Sequence, residues 1–197
     1  IATKVKSAGE IIDNWTDIQV NDVLTLDGKH GAINALASFK DELYTFQDNA
    51  VAFLSISPRV QVQGGDGLSI ELGSGQVLDR YKYLSTTSGT INKWSVLTSP
   101  KALYYFDLNN KAVMNVSENS NKLSDDKGLH IFFNTNIDTN SLSIDNPLEF
   151  GISSGYDYIN NEVIMSFKQQ AKPSFSITYN ENIGQFISLY DYAPSIF

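Results

Sequence analysis

The chain has 197 residues, 42% of them hydrophobic and 18% charged, with 14 basic against 22 acidic side chains for a net charge of −8. That is ample apolar material for a core of one or two domains, and it opposes a general phosphate-binding role, because nonspecific nucleic-acid affinity comes from neutralising phosphates with Lys and Arg. The absence of cysteine excludes disulfides and thiolate metal sites, and no apolar run is long enough to span a bilayer as a helix.

In chain order, residues 1–14 form a mixed polar segment, read as an N-terminal arm, and residues 15–197 read as one β-rich repeat region. The opening IATKVKSAGE contains neither an initiator Met nor a basic-plus-apolar leader, which leads to the expectation of a processed chain or a piece of a longer polypeptide. Trp15–Leu26 alternates at Ile18, Val20 and Val23, suggesting strand around an Asn21-Asp22 turn. Gly28–Gly31 reads as loop. Ala32–Phe39 and Glu42–Ile56 read as paired strands, with turns at Lys40-Asp41 and Gln47–Asn49. Pro58 ends that run, Gly64-Gly65-Asp66-Gly67 is a flexible turn, and Leu68–Leu72 alternates again before Gly73-Ser74-Gly75. These glycines lack the Lys and Ser/Thr of a phosphate-cradling loop and the spacing of a dinucleotide fingerprint, so tight turns explain them better. Val77–Thr87 and Lys93–Thr98 follow as strands, the first with a possible helical start.

Leu103–Val116, LYYFDLNNKAVMNV, is the clearest hairpin. Period-2 apolar residues flank a DLNNK turn, and Asp and Asn stabilise such turns by bonding nearby backbone groups. The pattern predicts half-buried strands. The same hairpin returns 50 residues on as YDYINNEVIMSF, Tyr156–Phe167, with Asp157 and Asn160 in the places of Asp107 and Asn110; Glu42–Ile56 is a looser third copy. Between the two, Leu123–Asn134 is the best helix candidate, with Ser124 as N-cap and Asp125-Asp126 in the first turn, weakened by Gly128. Asn134–Asn146 has loop chemistry. Four strands then fall near Phe150, Glu162–Phe167, Phe175–Tyr179 and Phe186–Tyr190, and Tyr192–Phe197 leaves through Pro194. Four antiparallel strands in under ~50 residues is the size of one propeller blade. The fold class expected is therefore mainly β, built of four-stranded antiparallel repeats as a small or partial β-propeller, with one short helix near 123–134.

Chemistry-bearing groups are sparse. His30 and His130 lie outside any paired-ligand spacing, and no metal is assigned. Paired carboxylates occur at Asp41-Glu42 and Asp125-Asp126 and at the turn residues Asp107 and Asp157. A residue required by a turn recurs with the turn, whereas a catalytic residue normally appears once, so turn capping is the reading adopted. Asp107, Asn109 and Asn110 offer oxygen ligands without the EF-hand pattern. Ser74 lies in no nucleophile elbow. Trp15, Trp94, Tyr104 and Tyr190 could stack on sugars, though core packing is the default for such rings. No catalytic or cofactor-binding residues and no cofactor are expected. The stretch Glu118–Glu162 holds eight carboxylates against Lys122 and Lys127; it reads as a solvated acidic face, or as one that repels nucleic acid or docks a basic partner.

The runs FKDELYTFQDNAVAFLSISPRVQV and IELGSGQVLDRYKYLSTTSG, then YYFDLNNKAV, LSDDKGLHIFF, GYDYINNEVIMSF and TYNENIGQFISLYDYAP in the same order, resemble the virion tail proteins of crAss-like and related short-tailed bacteriophages known as stabilization or muzzle proteins. The resemblance covers roughly Asp13 to Phe197. It implies a β-rich, propeller-like portion of a larger virion subunit at the distal tail. Its partners would be copies of itself, other phage tail proteins and the remaining part of its own precursor, without membrane insertion, specific nucleic-acid binding or catalysis. The resemblance carries no active-site residues. The competing reading is a carbohydrate-binding or glycan-degrading propeller module, which would require carboxylates or exposed aromatics converging on one pocket.

Overall fold

The structure is a computed structural model that describes residues 1–3, 16, 18, 20–56, 60–63, 69–72, 78–117, 120–143 and 148–197. Most of the proposed N-terminal arm, Trp15 and the glycine turns at 64–67 and 73–75 lie outside the described residues. The strands are β1 (Ile33–Phe39), β2 (Glu42–Gln47), β3 (Val51–Ile56), β4 (Val60–Gln63), β5 (Ser69–Leu72), β6 (Leu78–Ser85), β7 (Leu97–Thr98), β8 (Leu103–Asp107), β9 (Ala112–Val116), β10 (Ser120–Lys122), β11 (Gly151–Asp157), β12 (Glu162–Lys168), β13 (Phe175–Asn180) and β14 (Gln185–Tyr190). The α-helices are α1 (Leu123–Asp126) and α2 (His130–Asn136).

These strands form three four-stranded antiparallel sheets, ordered β1-β2-β3-β6, β7-β8-β9-β10 and β11-β12-β13-β14, with β4-β5 as a separate hairpin between β3 and β6. In each sheet spatial order follows chain order, and β7 touches both β1 and β11, so the first strands of the three sheets lie side by side. The expectation of four-stranded repeats is met. A closed ring of blades is not formed by the described residues.

The sheets stack face to face, and strand alternation decides which side chain enters which seam. Along β8, Leu103 and Tyr105 pack with Phe39, Tyr44, Phe46 and Val51 of the first sheet. Tyr104 and Phe106 pack with Ile152, Val163, Met165 and Phe167 of the third. The hairpin expected to be half-buried is therefore buried on both faces, from Leu103 through Asp107, because its sheet is the middle layer. Tyr105, Phe46, Phe106, Phe133 and Phe167 are fully enclosed, each such ring contributing about 1.5–3 kcal/mol by leaving water.

Three predicted elements differ. The single helix over Leu123–Asn134 is two short helices, broken at Gly128, whose φ of 77° lies in the left-handed region. Ser124 is not the N-cap; Lys122 is, and Ser124 sits buried in the first turn, where its Oγ accepts from the Val113 amide (3.1 Å) and ties α1 to β9. The run Val20–Asp22 is a 3₁₀ turn, with no strand over residues 23–26. Lys93–Ser95 is also a 3₁₀ turn, leaving two residues of strand in β7. There the Ser95 amide and Oγ both bond the Asn92 carbonyl (2.9 and 2.7 Å), a local alternative to the strand ladder.

The segment after β14 turns back across the outer face of the third sheet rather than leaving it. Ser176 Oγ donates to the Tyr192 carbonyl (2.7 Å) and Ser153 Oγ to the Pro194 carbonyl (2.9 Å), while Ser195 Oγ bonds the Leu148 carbonyl (2.7 Å). Gly155 permits this: a Cβ there would lie 2.5 Å from the Phe197 ring.

Candidate functional site

A buried polar constellation lies in the seam between the second and third sheets, around Glu181. This residue stands in the β13–β14 turn. Asn180 shapes that turn by accepting from the Asn182 and Ile183 amides through Oδ1 (both 3.0 Å). Glu181 is 8% exposed. Ser99 Oγ (2.5 Å) and Tyr104 OH (2.8 Å) donate to its Oε1, and Tyr156 OH (2.7 Å) donates to its Oε2. Lys101 Nζ bonds the Glu181 carbonyl (3.1 Å) and Asn182 Oδ1 (2.8 Å). Ser99 also organises the β7–β8 turn, accepting from the Lys101 and Ala102 amides. One carboxylate thus joins the β7–β8 turn, β8 and β11.

Burial, then the bond to Glu181, pushes the Tyr104 phenol far above its ordinary range and Tyr156 up to about 12. Both phenols are held as proton donors. A proton-transfer site would tune its group toward the working pH, and the shift here runs the other way. Hydroxyl donors fill three of the carboxylate's roughly four acceptor positions, which makes the cluster a tie between sheets.

The first seam is tied by different groups. Tyr105 OH shares a buried bond with Ser88 Oγ (2.8 Å) and lies 3.3 Å from Ser120 Oγ, with the Phe46 ring edge-on at 5.2 Å. At the far end, Asn109 Nδ2 donates to Asn49 Oδ1 (2.9 Å) and Asn110 Nδ2 to the Thr87 carbonyl (3.2 Å). Tyr44 donates to Glu42 Oε2 (2.7 Å) and is pushed up to about 12, by burial first and then by that carboxylate.

Asp107 and Asp157 each cap their own turn. Asp107 Oδ1 accepts from the Asn109 and Asn110 amides (2.9 and 3.0 Å), and Oδ2 from Asn110 Nδ2 (2.6 Å). Asp157 repeats the pattern with the Ile159 and Asn160 amides (2.8 and 3.3 Å) and Asn160 Nδ2 (2.7 Å), and these bonds hold its carboxyl below the usual range. The two hairpins share a turn but not a place. Asp107 lies between the second and third strands of its sheet and Asp157 between the first and second. Successive turns of a meander alternate ends, so the two carboxylates sit at opposite ends of the stack and address no common point.

The remaining candidates are dispersed. His30 packs its ring against Tyr83 at 4.7 Å. His130 begins α2, with Nδ1 3.4 Å from Asp125 Oδ1. Lys40 and Asp41 form the β1–β2 turn with φ of 50° and 62°. Trp94 is half-exposed with the Lys93 ammonium 5.1 Å from its ring centre, Tyr104 is buried, and Tyr190 pairs with Tyr192. Ser74 lies outside the described residues. Among the described residues, no group of three or more His, Cys, Asp or Glu side chains could hold a metal, and no helix is long and apolar enough to cross a membrane. Glu181 went unnoticed in the sequence because its partners Ser99, Tyr104 and Tyr156 are 82, 77 and 25 residues away.

Compared with known proteins, residues 1–197 match the family model for the Crassvirus muzzle protein. The chain is also 33% identical over 199 aligned positions to the muzzle protein of Bacteroides phage crAss001. That match covers 99% of this chain and 14% of the length of the phage protein.

Proposed function

This chain belongs to the Crassvirus muzzle protein family, and from that premise we propose that it is a structural part of a phage virion, working in the tail muzzle as an oligomeric scaffold without catalysis. The observation that carries this reading is the use made of the buried acids. Glu181 and Asp107 are both enclosed, and each accepts three hydrogen bonds from donors of its own chain that hold turns and sheets in place. Rigid sheets joined by satisfied polar ties suit a load-bearing part, because a bond already made inside a seam resists shear without waiting for a ligand.

In this reading the three-sheet stack is a section of a larger propeller-like body, completed by further chain and by neighbouring copies and tail proteins. The test is physical location. Purified virions would be digested and searched by mass spectrometry for peptides of this chain, and antibodies to the folded unit would be mapped on intact particles by electron microscopy. The expected result is peptides in stoichiometric amount and label at the distal tail. Absence from washed particles would overturn the assignment, and label on the capsid alone would remove the tail position.

A further inference from the structure

The outermost strands of the three sheets are guarded unequally. β6, LDRYKYLS, carries the exposed Arg80 and Lys82; β10 is only Ser120–Lys122 and ends in a lysine. Both devices, charge and shortness, discourage pairing with another strand. β14, QFISLY, has six residues, no charge and no proline, and it ends its sheet. Among the described residues no strand pairs with its outer edge.

Beside that edge runs an apolar groove of about 260 Å³, walled by Leu129 and Phe132 of the α2 region on one side and by Phe186, Ile187 and Leu189 on the other, with Ile177 between. A β-bulge sets this up. Thr178 pairs with Ser188 and Tyr179 with Phe186, so Ile187 is an extra residue, and a bulge places neighbouring side chains on the same side of the strand. Ile187 and Leu189 are 42% and 57% exposed, and Ile131 on the rim is 77% exposed.

We propose that β14 is a strand-addition site, taking up an extended, uncharged segment of a neighbouring polypeptide whose alternate apolar side chains enter this groove. The occupant's chemistry follows from the edge. Unpaired amides and carbonyls ask for another backbone in extended form, and a row of apolar side chains on one side asks for period-2 alternation. A helix or a globular face would cover the groove but leave the backbone row unmet. The proposal stands on the sheet edge and the groove beside it and does not depend on the virion assignment.

The test uses the whole chain and a probe peptide whose pairing segment is uncharged, GQFISLY (residues 184–190), followed by a lysine tail for solubility. Expected are saturable binding in the high-micromolar range, as fits a contact below standard interface size, and slowed amide exchange confined to Gln185–Tyr190. Leu189→Lys, at an exposed position, is expected to weaken binding about tenfold or more, the loss of one central apolar anchor. N-methylation of alternate peptide amides is expected to abolish it. Near-UV circular dichroism checks that the variant is folded, and Ile187→Lys provides a second variant. No saturable binding, or binding indifferent to both variants and to N-methylation, would overturn the proposal and show the bulge to be edge protection instead.

Discussion

Asp107 and Asp157 make the same hydrogen bonds in the same kind of turn and differ in surroundings. Asp107 is 1% exposed and its bonds to the Asn109 and Asn110 amides are part-buried, whereas the matching Asp157 bonds are exposed, so removing Asp107 uncovers donors that water reaches less freely. Asp107→Ala is expected to destabilise by about 1 kcal/mol, the net worth of partly shielded hydrogen bonds, read as a lower urea midpoint at unchanged slope. Asp157→Ala is expected to shift the midpoint clearly less, since its amides revert to solvent; equal shifts would mean that burial does not set the value of the cap. The Asp157 carboxyl, held low by the Asn160 and Ile159 donors, adds a stabilising contribution that is present above the unfolded carboxylate range. That contribution is lost as pH falls through the depressed folded value.

At the level of elements, alternation located most strands. The run from Leu148 to Tyr192 resolves into the four strands expected of it, because period-2 patterning and Asx turns are local signals. What local signals cannot carry is which sheet lies against which. The 50-residue recurrence of the Asp/Asn hairpin suggests equivalent blades, yet it marks a good turn used at two different places in the meander. The break at Gly128 was visible as a glycine, whereas the Glu181 tie had no sequence trace. Three substitutions, two of them combined in a cycle, test these joints. Gly89 lets the linker between the first and second sheets press on the β2–β3 turn, where an added Cβ would lie 2.2 Å from the Gln47 carbonyl oxygen and 2.5 Å from the Ala50 amide nitrogen. Both are backbone atoms, so Gly89→Ala is expected to cost about 1–3 kcal/mol as overpacking does, visible as a lower thermal midpoint; an unchanged midpoint would mean the linker can lift away. Glu181→Ala strands the Tyr104 hydroxyl in the seam, while Ser99 Oγ keeps the Ala102 carbonyl at 3.0 Å, with an expected loss of about 1–3 kcal/mol. Combining it with Tyr104→Phe should give a total smaller than the sum, because one bond is removed twice. Strict additivity in a double-mutant cycle would show that the carboxylate and the phenol are not coupled.

For the whole molecule, the tyrosines link stability to alkaline pH. Six of the ten, Tyr44, Tyr83, Tyr104, Tyr105, Tyr156 and Tyr179, are raised above the ordinary phenol value with burial as the leading cause. They serve the first sheet, both seams and the third sheet together. A phenol raised in the folded state binds its proton more tightly there than in the unfolded chain, so between the two values the folded state carries more protons and stability falls as pH rises. Below about pH 10, the unfolded phenol value, this contribution is complete. It is then lost through a window reaching about 12 for Tyr44 and Tyr156 and beyond that for Tyr104. Because these rings sit in contiguous seams, ionising one opens the packing that protects the next. Absorbance at 295 nm is therefore expected to show a steep rise above the ordinary phenol range that coincides with loss of the near-UV circular dichroism. A single smooth rise complete near pH 10 with the near-UV signal intact would mean that the seams admit water, and the stack would then be a looser body than its buried tyrosines and hydrogen-bonded carboxylates require.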